Sequence, residues 1–213
     1  MRTVSTLALV AIFALSTGCQ QVGSFFDRLG GKPLRAARKM EDPYFPDERR
    51  EGIFQLARRD YGRLTPYTTR YKQIAQSDPD FTVRAAAVRA LNIARDKSAT
   101  AVFIGALSDK NDFVRLEAAK ALANVPSPEA AAPLQKIVSN ALENKDLRIA
   151  AADALKHYPN LGVGRTLVGA LNTRDFGVAW QARQSLRRLT GRDLHYDESA
   201  WLTYLTSPGR PLG

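Results

Sequence analysis

Residues 114–122 read VRLEAAKAL, and nearly the same line stands at 83–91 as VRAAAVRAL and at 147–155 as LRIAAADAL. Each line holds an arginine, a small residue three positions on and a leucine seven positions on: Arg84, Ala87 and Leu91; Arg115, Ala118 and Leu122; Arg148, Ala151 and Leu155. Spacings of three and seven fall on one face of a helix. Two looser copies flank them, ERREGIFQL at 48–56 with Arg49, Gly52 and Leu56, and VAWQARQSL at 178–186 with Ala179, Ala182 and Leu186. The copies lie 35, 31, 33 and 31 residues apart, a period that belongs to stacked helical hairpins. In such a stack the small residue lets neighbouring helices approach, and the leucine fills the space between layers.

A second stripe lies between these lines. Ala75, Leu107, Leu142 and Leu171 each have apolar residues one, four and eight positions before them: Ile74, Tyr71 and Tyr67; Ala106, Phe103 and Ala99; Ala141, Val138 and Leu134; Ala170, Leu167 and Val163. The two patterns predict first helices over 47–60, 80–95, 112–124, 145–157 and 175–190, and second helices over 66–76, 98–108, 128–142 and 161–172. A closing helix is expected over 197–206. Pro46-Asp47, Thr65-Pro66, Ser127-Pro128 and Asn160 supply the prolines and capping oxygens of helix starts. The expected fold is all-α, a right-handed α-solenoid of about five hairpins with a C-terminal capping helix.

Over residues 47–206 the chain resembles HEAT-repeat proteins of the short bacterial kind. The resemblance implies a polar ladder between repeats, in which an aspartate stands six residues before the arginine. Asp78 with Arg84 and Asp109 with Arg115 match it, whereas Leu142 stands six before Arg148 and Ala179 replaces the last arginine. The segment LTGRDLHYDESAWLTYL at 189–205 resembles a closing segment, with Trp201 and Leu205 expected to cover the last apolar face.

The first eighteen residues, MRTVSTLALVAIFALSTG, hold Arg2 ahead of an apolar run from Val4 to Leu15 without an acid, the pattern of an export signal. Twelve residues are too few to span a bilayer as a helix. LSTGC at 15–19 resembles the cleavage box of a bacterial lipoprotein, with Ser16 where leucine is commonest, and Cys19 is the one cysteine of the chain. That resemblance implies cleavage before Cys19 and a lipid on its thiol. Gln20 in place of aspartate leans towards the periplasmic side of the outer membrane over the inner one. The expected division is a signal over 1–18, a lipid-anchored basic linker over 19–45, a HEAT-like domain over 46–206 and a tail over 207–213.

The chain has 31 basic and 21 acidic residues, a net charge of +10. Such a balance ordinarily suggests nucleic acid, but export redirects it to anionic headgroups, cell-wall polymers or an acidic envelope protein. Arg28, Lys32, Arg35, Arg38 and Lys39 form a basic segment over 28–39 that is expected to rest on the membrane beside the lipid anchor.

No catalytic residue, metal, cofactor or small-molecule substrate is expected. His157 and His195 lack metal-ligand spacing, His157 suits a helix end, and Asp197 within HYDES is expected to cap the Trp201 helix. Gly162 and Gly164 lack the strand and the glycines of a phosphate loop, and Asp78 and Asp80 serve capping and the ladder. Tyr61, Tyr67, Tyr71 and Phe54 read as core. The second helices are expected along the concave side, with Thr69, Arg70, Lys72, Lys136 and Arg165 around an apolar centre of Val102 and Ile104, as a groove for an acidic envelope protein. This describes a non-enzymatic scaffold or adaptor. The alternative is an enzyme or nucleic-acid-binding protein resembling the HEAT-like DNA glycosylases or bilin lyases, which the export signal disfavours.

Overall fold

The computed structural model describes residues 32–209 and Leu212. The segment expected as an export signal, Cys19 and Arg28 lie outside the described residues. Among these there are eleven α-helices and no strand: α1 (Lys32–Met40), α2 (Pro46–Ala57), α3 (Tyr67–Ser77), α4 (Phe81–Ala94), α5 (Thr100–Ala106), α6 (Asp112–Asn124), α7 (Ala131–Ser139), α8 (Lys145–Ala154), α9 (Leu161–Gly169), α10 (Phe176–Thr190) and α11 (Glu198–Thr206). No helix among them is long and apolar enough to cross a membrane. They form an all-α solenoid.

The five repeated lines lie in the even-numbered helices. Leu56, Leu91, Leu122, Leu155 and Leu186 are fully buried, as are Ala87, Ala118, Ala151 and Ala182. The hairpins are α1–α2, α3–α4, α5–α6, α7–α8 and α9–α10, each packed across its own turn, with α11 laid on α9. Each repeated line is therefore the second helix of its hairpin, where the sequence pattern was read as the first.

That shift of phase brings in α1, part of the segment expected as a linker over 19–45. Ala36 and Met40 are buried on α2, and Gly52 sets the approach. A Cβ at Gly52 would lie 2.3 Å from the Met40 nitrogen and 2.5 Å from the Ala36 oxygen, so the small residue of the first repeat is small because α1 crosses over it. Lys39 pairs with Glu48 at 2.8 Å, while Arg35 and Arg38 are exposed.

The apolar stripe of α7 is one turn earlier than expected. Ala130, Leu134, Ile137 and Val138 are buried, whereas Leu142 is 97% exposed. Asn140 ends the helix with extended backbone, and its side chain accepts the Leu142 N–H at 3.1 Å. Residues 140–144 are thus turn, and Ala141 and Leu142 fall outside the helix.

The ladder runs from each arginine to the turn of the following hairpin. Arg49 donates two hydrogen bonds to Asp78 at 2.9 and 3.0 Å, and Arg84 two to Asp109 at 2.8 and 2.9 Å. Each also donates to its own turn, Arg49 to the Asp42 carbonyl and Arg84 to those of Asp78 and Pro79. In the third rung Glu143 replaces aspartate, accepting from Arg115 at 2.8 Å. Arg148 is buried but donates to the Val138 carbonyl instead, and there the ladder ends.

Trp201 and Leu205 are fully buried, and the Trp201 indole donates to the His195 carbonyl at 3.0 Å. Asp197 caps α11 by accepting the Ala200 N–H at 2.9 Å. A Cβ at Gly164 would lie 3.0 Å from Leu205 and 3.2 Å from Leu212. Gly164 thus seats the closing helix together with a residue of the tail, and Leu212 is buried.

Candidate functional site

The even-numbered helices lie in continuous side-by-side contact, and the odd-numbered ones touch less. A stack bends towards the row in which neighbours approach more closely, so α2, α4, α6, α8 and α10 line the concave side. The expected binding residues are on the other row. Thr69, Arg70 and Lys72 lie on α3, Val102 and Ile104 on α5, Lys136 on α7 and Arg165 on α9. Val102 is buried and Ile104 half-buried against the core, so the expected apolar centre is packing. Arg70 binds both Glu41 oxygens at 2.6 Å, and Lys72 pairs with Asp96 at 3.0 Å. Thr69, Lys136 and Arg165 remain exposed but on separate helices.

What the concave side does present is an apolar groove of about 560 Å³ across α2, α4 and α6. Phe54, Ile93 and Phe113 are 49%, 41% and 63% exposed within it. Phe81 stacks on Phe113 with ring centroids 6.2 Å apart. Ala85 and Ala86 lie between, and these small side chains leave the groove open. Water-facing phenylalanine and isoleucine on adjacent helices form the kind of contiguous apolar patch that marks an interaction site.

Basic side chains frame this floor. The Arg58 guanidinium lies 5.1 Å above the Phe54 ring, a contact worth about 0.5–1 kcal/mol at an exposed site. Arg89 donates two hydrogen bonds to Glu117 at 2.9 and 3.0 Å, and Lys120 reaches the same carboxylate at 3.2 Å. Burial alone would raise the Glu117 pKa. Hydrogen bonding from Arg89 and the charges of Arg89 and Lys120 outweigh it and hold the group below the ordinary carboxylate value. Glu117 is therefore a fixed anchor, and Arg89, with its side chain 61% exposed, turns its remaining surface to the groove.

The same side carries aromatic residues at its far end. Phe176 and Trp180 of α10 are exposed; Phe176 lies 6.2 Å from Tyr196, and the Arg183 guanidinium stacks 5.1 Å from that ring. Arg183 also binds both oxygens of Asp193, which depresses the Asp193 pKa.

Of the aromatic cluster expected as core, Tyr71 is fully buried and Tyr67 half-buried, whereas Tyr61 is 39% exposed at the turn after α2, its ring 6.1 Å from that of Tyr67. Phe54 faces the groove instead. The other groove residues stand off the repeat positions, and sequence reasoning did not single them out. Their signal is an apolar residue where the repeat should be wet: Ile93 nine positions past Arg84, and Phe113 two before Arg115. His157 lies 2.8 Å from the Ala123 carbonyl in the last turn of α6, a structural position. No group of three or more histidine, cysteine, aspartate or glutamate residues that could hold a metal ion occurs among the described residues.

Residues 68–156 match the family model for HEAT repeats. Over these residues the chain is similar to that family. The matched segment runs from α3 through α8, so two of the three helices of the groove belong to it. A search of curated proteins found no match to the chain. HEAT repeats commonly serve as protein-interaction scaffolds.

Proposed function

We propose that the protein is a non-enzymatic scaffold of the cell envelope, tethered by a lipid on Cys19 to the periplasmic side of the outer membrane, whose HEAT repeats hold a partner protein in the concave groove. The observation that carries the binding reading is the exposed row Phe54, Ile93 and Phe113 on three adjacent helices. The partner contributes an apolar segment that covers these rings, with acidic side chains for Arg58 and Arg89. Such anchors, and not the whole contact area, carry most of the affinity of an interface.

The tether is supported by LSTGC and the single cysteine, Cys19. Intact mass of the membrane-extracted protein tests it: loss of residues 1–18 with gain of acyl chains, both absent in Cys19→Ala, is the expected result. A full-length, unacylated protein in the cytosol overturns it. The groove is tested by a photo-crosslinking residue placed at Phe54 or Phe113, with Arg165 on the outer row as control. A discrete crosslinked envelope protein from the groove positions alone is expected, and equal labelling from Arg165 rejects the groove.

A further inference from the structure

The two long edges of the solenoid differ in charge. The turns within hairpins carry Glu41, Asp42, Asp78, Asp80, Asp109 and Glu143, and these acids are largely spent on helix caps and the ladder. The opposite edge, where the even-numbered helices end, carries Arg59, Arg95, Lys97, Arg188 and Arg192, all exposed. None of these five forms an ion pair among the described residues. Cations favour helix C-termini, but that effect fades beyond the last turn. Arg59, Lys97 and Arg192 stand two or more residues past the ends of α2, α4 and α10, so helix stability does not account for them. Beside Arg59 this edge also carries exposed Tyr61 and Leu64, and its cationic groups cluster towards both ends of the array.

A second feature points the same way. Helix α1 runs antiparallel to α2, so Met40 is at the acidic edge and the chain enters α1 at Lys32 on the basic edge, with Arg35 and Arg38 exposed on that helix. Cys19 lies thirteen residues before Lys32, within reach of the same edge.

We infer that the basic edge rests on anionic lipid headgroups, so that the solenoid lies edge-on to the membrane with its concave groove opening sideways. The headgroup contact does not depend on acylation; only its coupling to the anchor rests on the lipid at Cys19 proposed above. Dispersed arginine and lysine fit a plane of phosphate charge, each adding about fivefold to binding near such a surface, and the attraction falls within a Debye length.

The test uses the full-length Cys19→Ala chain, which has no acyl group, sedimented with neutral phosphatidylcholine vesicles or vesicles containing about one-third phosphatidylglycerol. The leader is common to every variant, so its contribution cancels when their anionic-to-neutral ratios are compared. A strong preference for anionic vesicles is expected, falling at least tenfold in the combined Arg59→Glu, Lys97→Glu, Arg188→Glu, Arg192→Glu variant, and weakening with salt. The corresponding glutamine variant, less prone to disturb folding, should lose a smaller share; circular dichroism checks both. Lys110→Glu with Arg174→Glu on the acidic edge should change the ratio little. Equal binding to both vesicles, a preference kept in the four-residue variants, or the same loss from the acidic edge overturns the proposal; capture of an acidic protein by this edge without vesicle preference overturns it in favour of a protein surface. Because acylation is absent throughout, a negative result here leaves the mass measurement on Cys19 to stand or fall separately.

Discussion

Arg84 and Asp109, twenty-five residues apart, meet through two hydrogen bonds of 2.8 and 2.9 Å with side chains only 7% and 13% exposed. The pair welds one repeat to the next, because Arg84 also donates to the carbonyls of its own turn. Removing one partner leaves a charge without its counter-ion in a largely dry site. Asp109→Ala should therefore cost about 3 kcal/mol or more, while Arg84→Met with Asp109→Leu should recover much of the loss. Urea unfolding of the single and double variants decides it; a double variant no better than Asp109→Ala would mean that the turn geometry, and not the charge, dominates.

Acid should act on the same rung. Burial by itself would raise the Asp109 pKa, but hydrogen bonds from Arg84 and the Asn111 N–H, with the charge of Arg84, bring it below the ordinary value. Asp80 is lowered too, first by the Thr82 hydroxyl. A carboxylate depressed by folding contributes stability that is fully present above the unfolded pKa, near 4, and is lost as pH falls through the folded value. Melting temperature should hold its ladder contribution down to about pH 5 and fall below about pH 4. Asp109→Asn should start lower at neutral pH and show a shallower acid decline. An unchanged slope would remove Asp109 from the account.

The register of α7 offers a sharper contrast. Leu122 is fully buried between layers and Leu142 is 97% exposed. Leu122→Ala should cost about 2–5 kcal/mol, whereas Leu142→Ala should stay within about 0.5 kcal/mol. Equal losses in chemical denaturation would restore the stripe as it was first expected.

Leu142 also shows where the sequence ceased to be readable. Periodicity located every helix that ends in a leucine of the repeated line, because burial of Leu56 through Leu186 depends only on spacing within one helix. It could not choose between 130–134–137–138 and 134–138–141–142 in α7, since both are apolar at helical spacing and Asn140 decides by ending the helix. Hairpin phase was likewise hidden. Whether α4 pairs with α3 or α5 depends on turn length and on which neighbour Gly52-like positions admit, and α1 was concealed by its basic composition. The groove was least legible. Phe54, Ile93 and Phe113 are ordinary helix residues until the stack brings three helices together with their rings uncovered.

Gly52 and Gly105 test that packing argument in opposite directions. Both lie inside helices, where replacing glycine by alanine ordinarily gains about 0.5–1 kcal/mol through lost backbone freedom in the unfolded chain. At Gly105 in α5 an added Cβ meets nothing within 4 Å, so Gly105→Ala should raise stability by that amount. At Gly52 the same methyl would come within 2.3 Å of the Met40 backbone, and the obstacle is main chain that cannot rotate away. Gly52→Ala should therefore push α1 off α2, exposing Ala36 and Met40 and making the segment 32–45 open to protease while α3 to α10 stay folded, as neighbour-coupled arrays permit. Limited proteolysis with mass mapping, beside thermal melts of both variants, reads the two effects separately. A Gly52→Ala protein as resistant as the parent would show that α1 can shift without detaching, and the first repeat would then owe its glycine to something other than the helix lying across it.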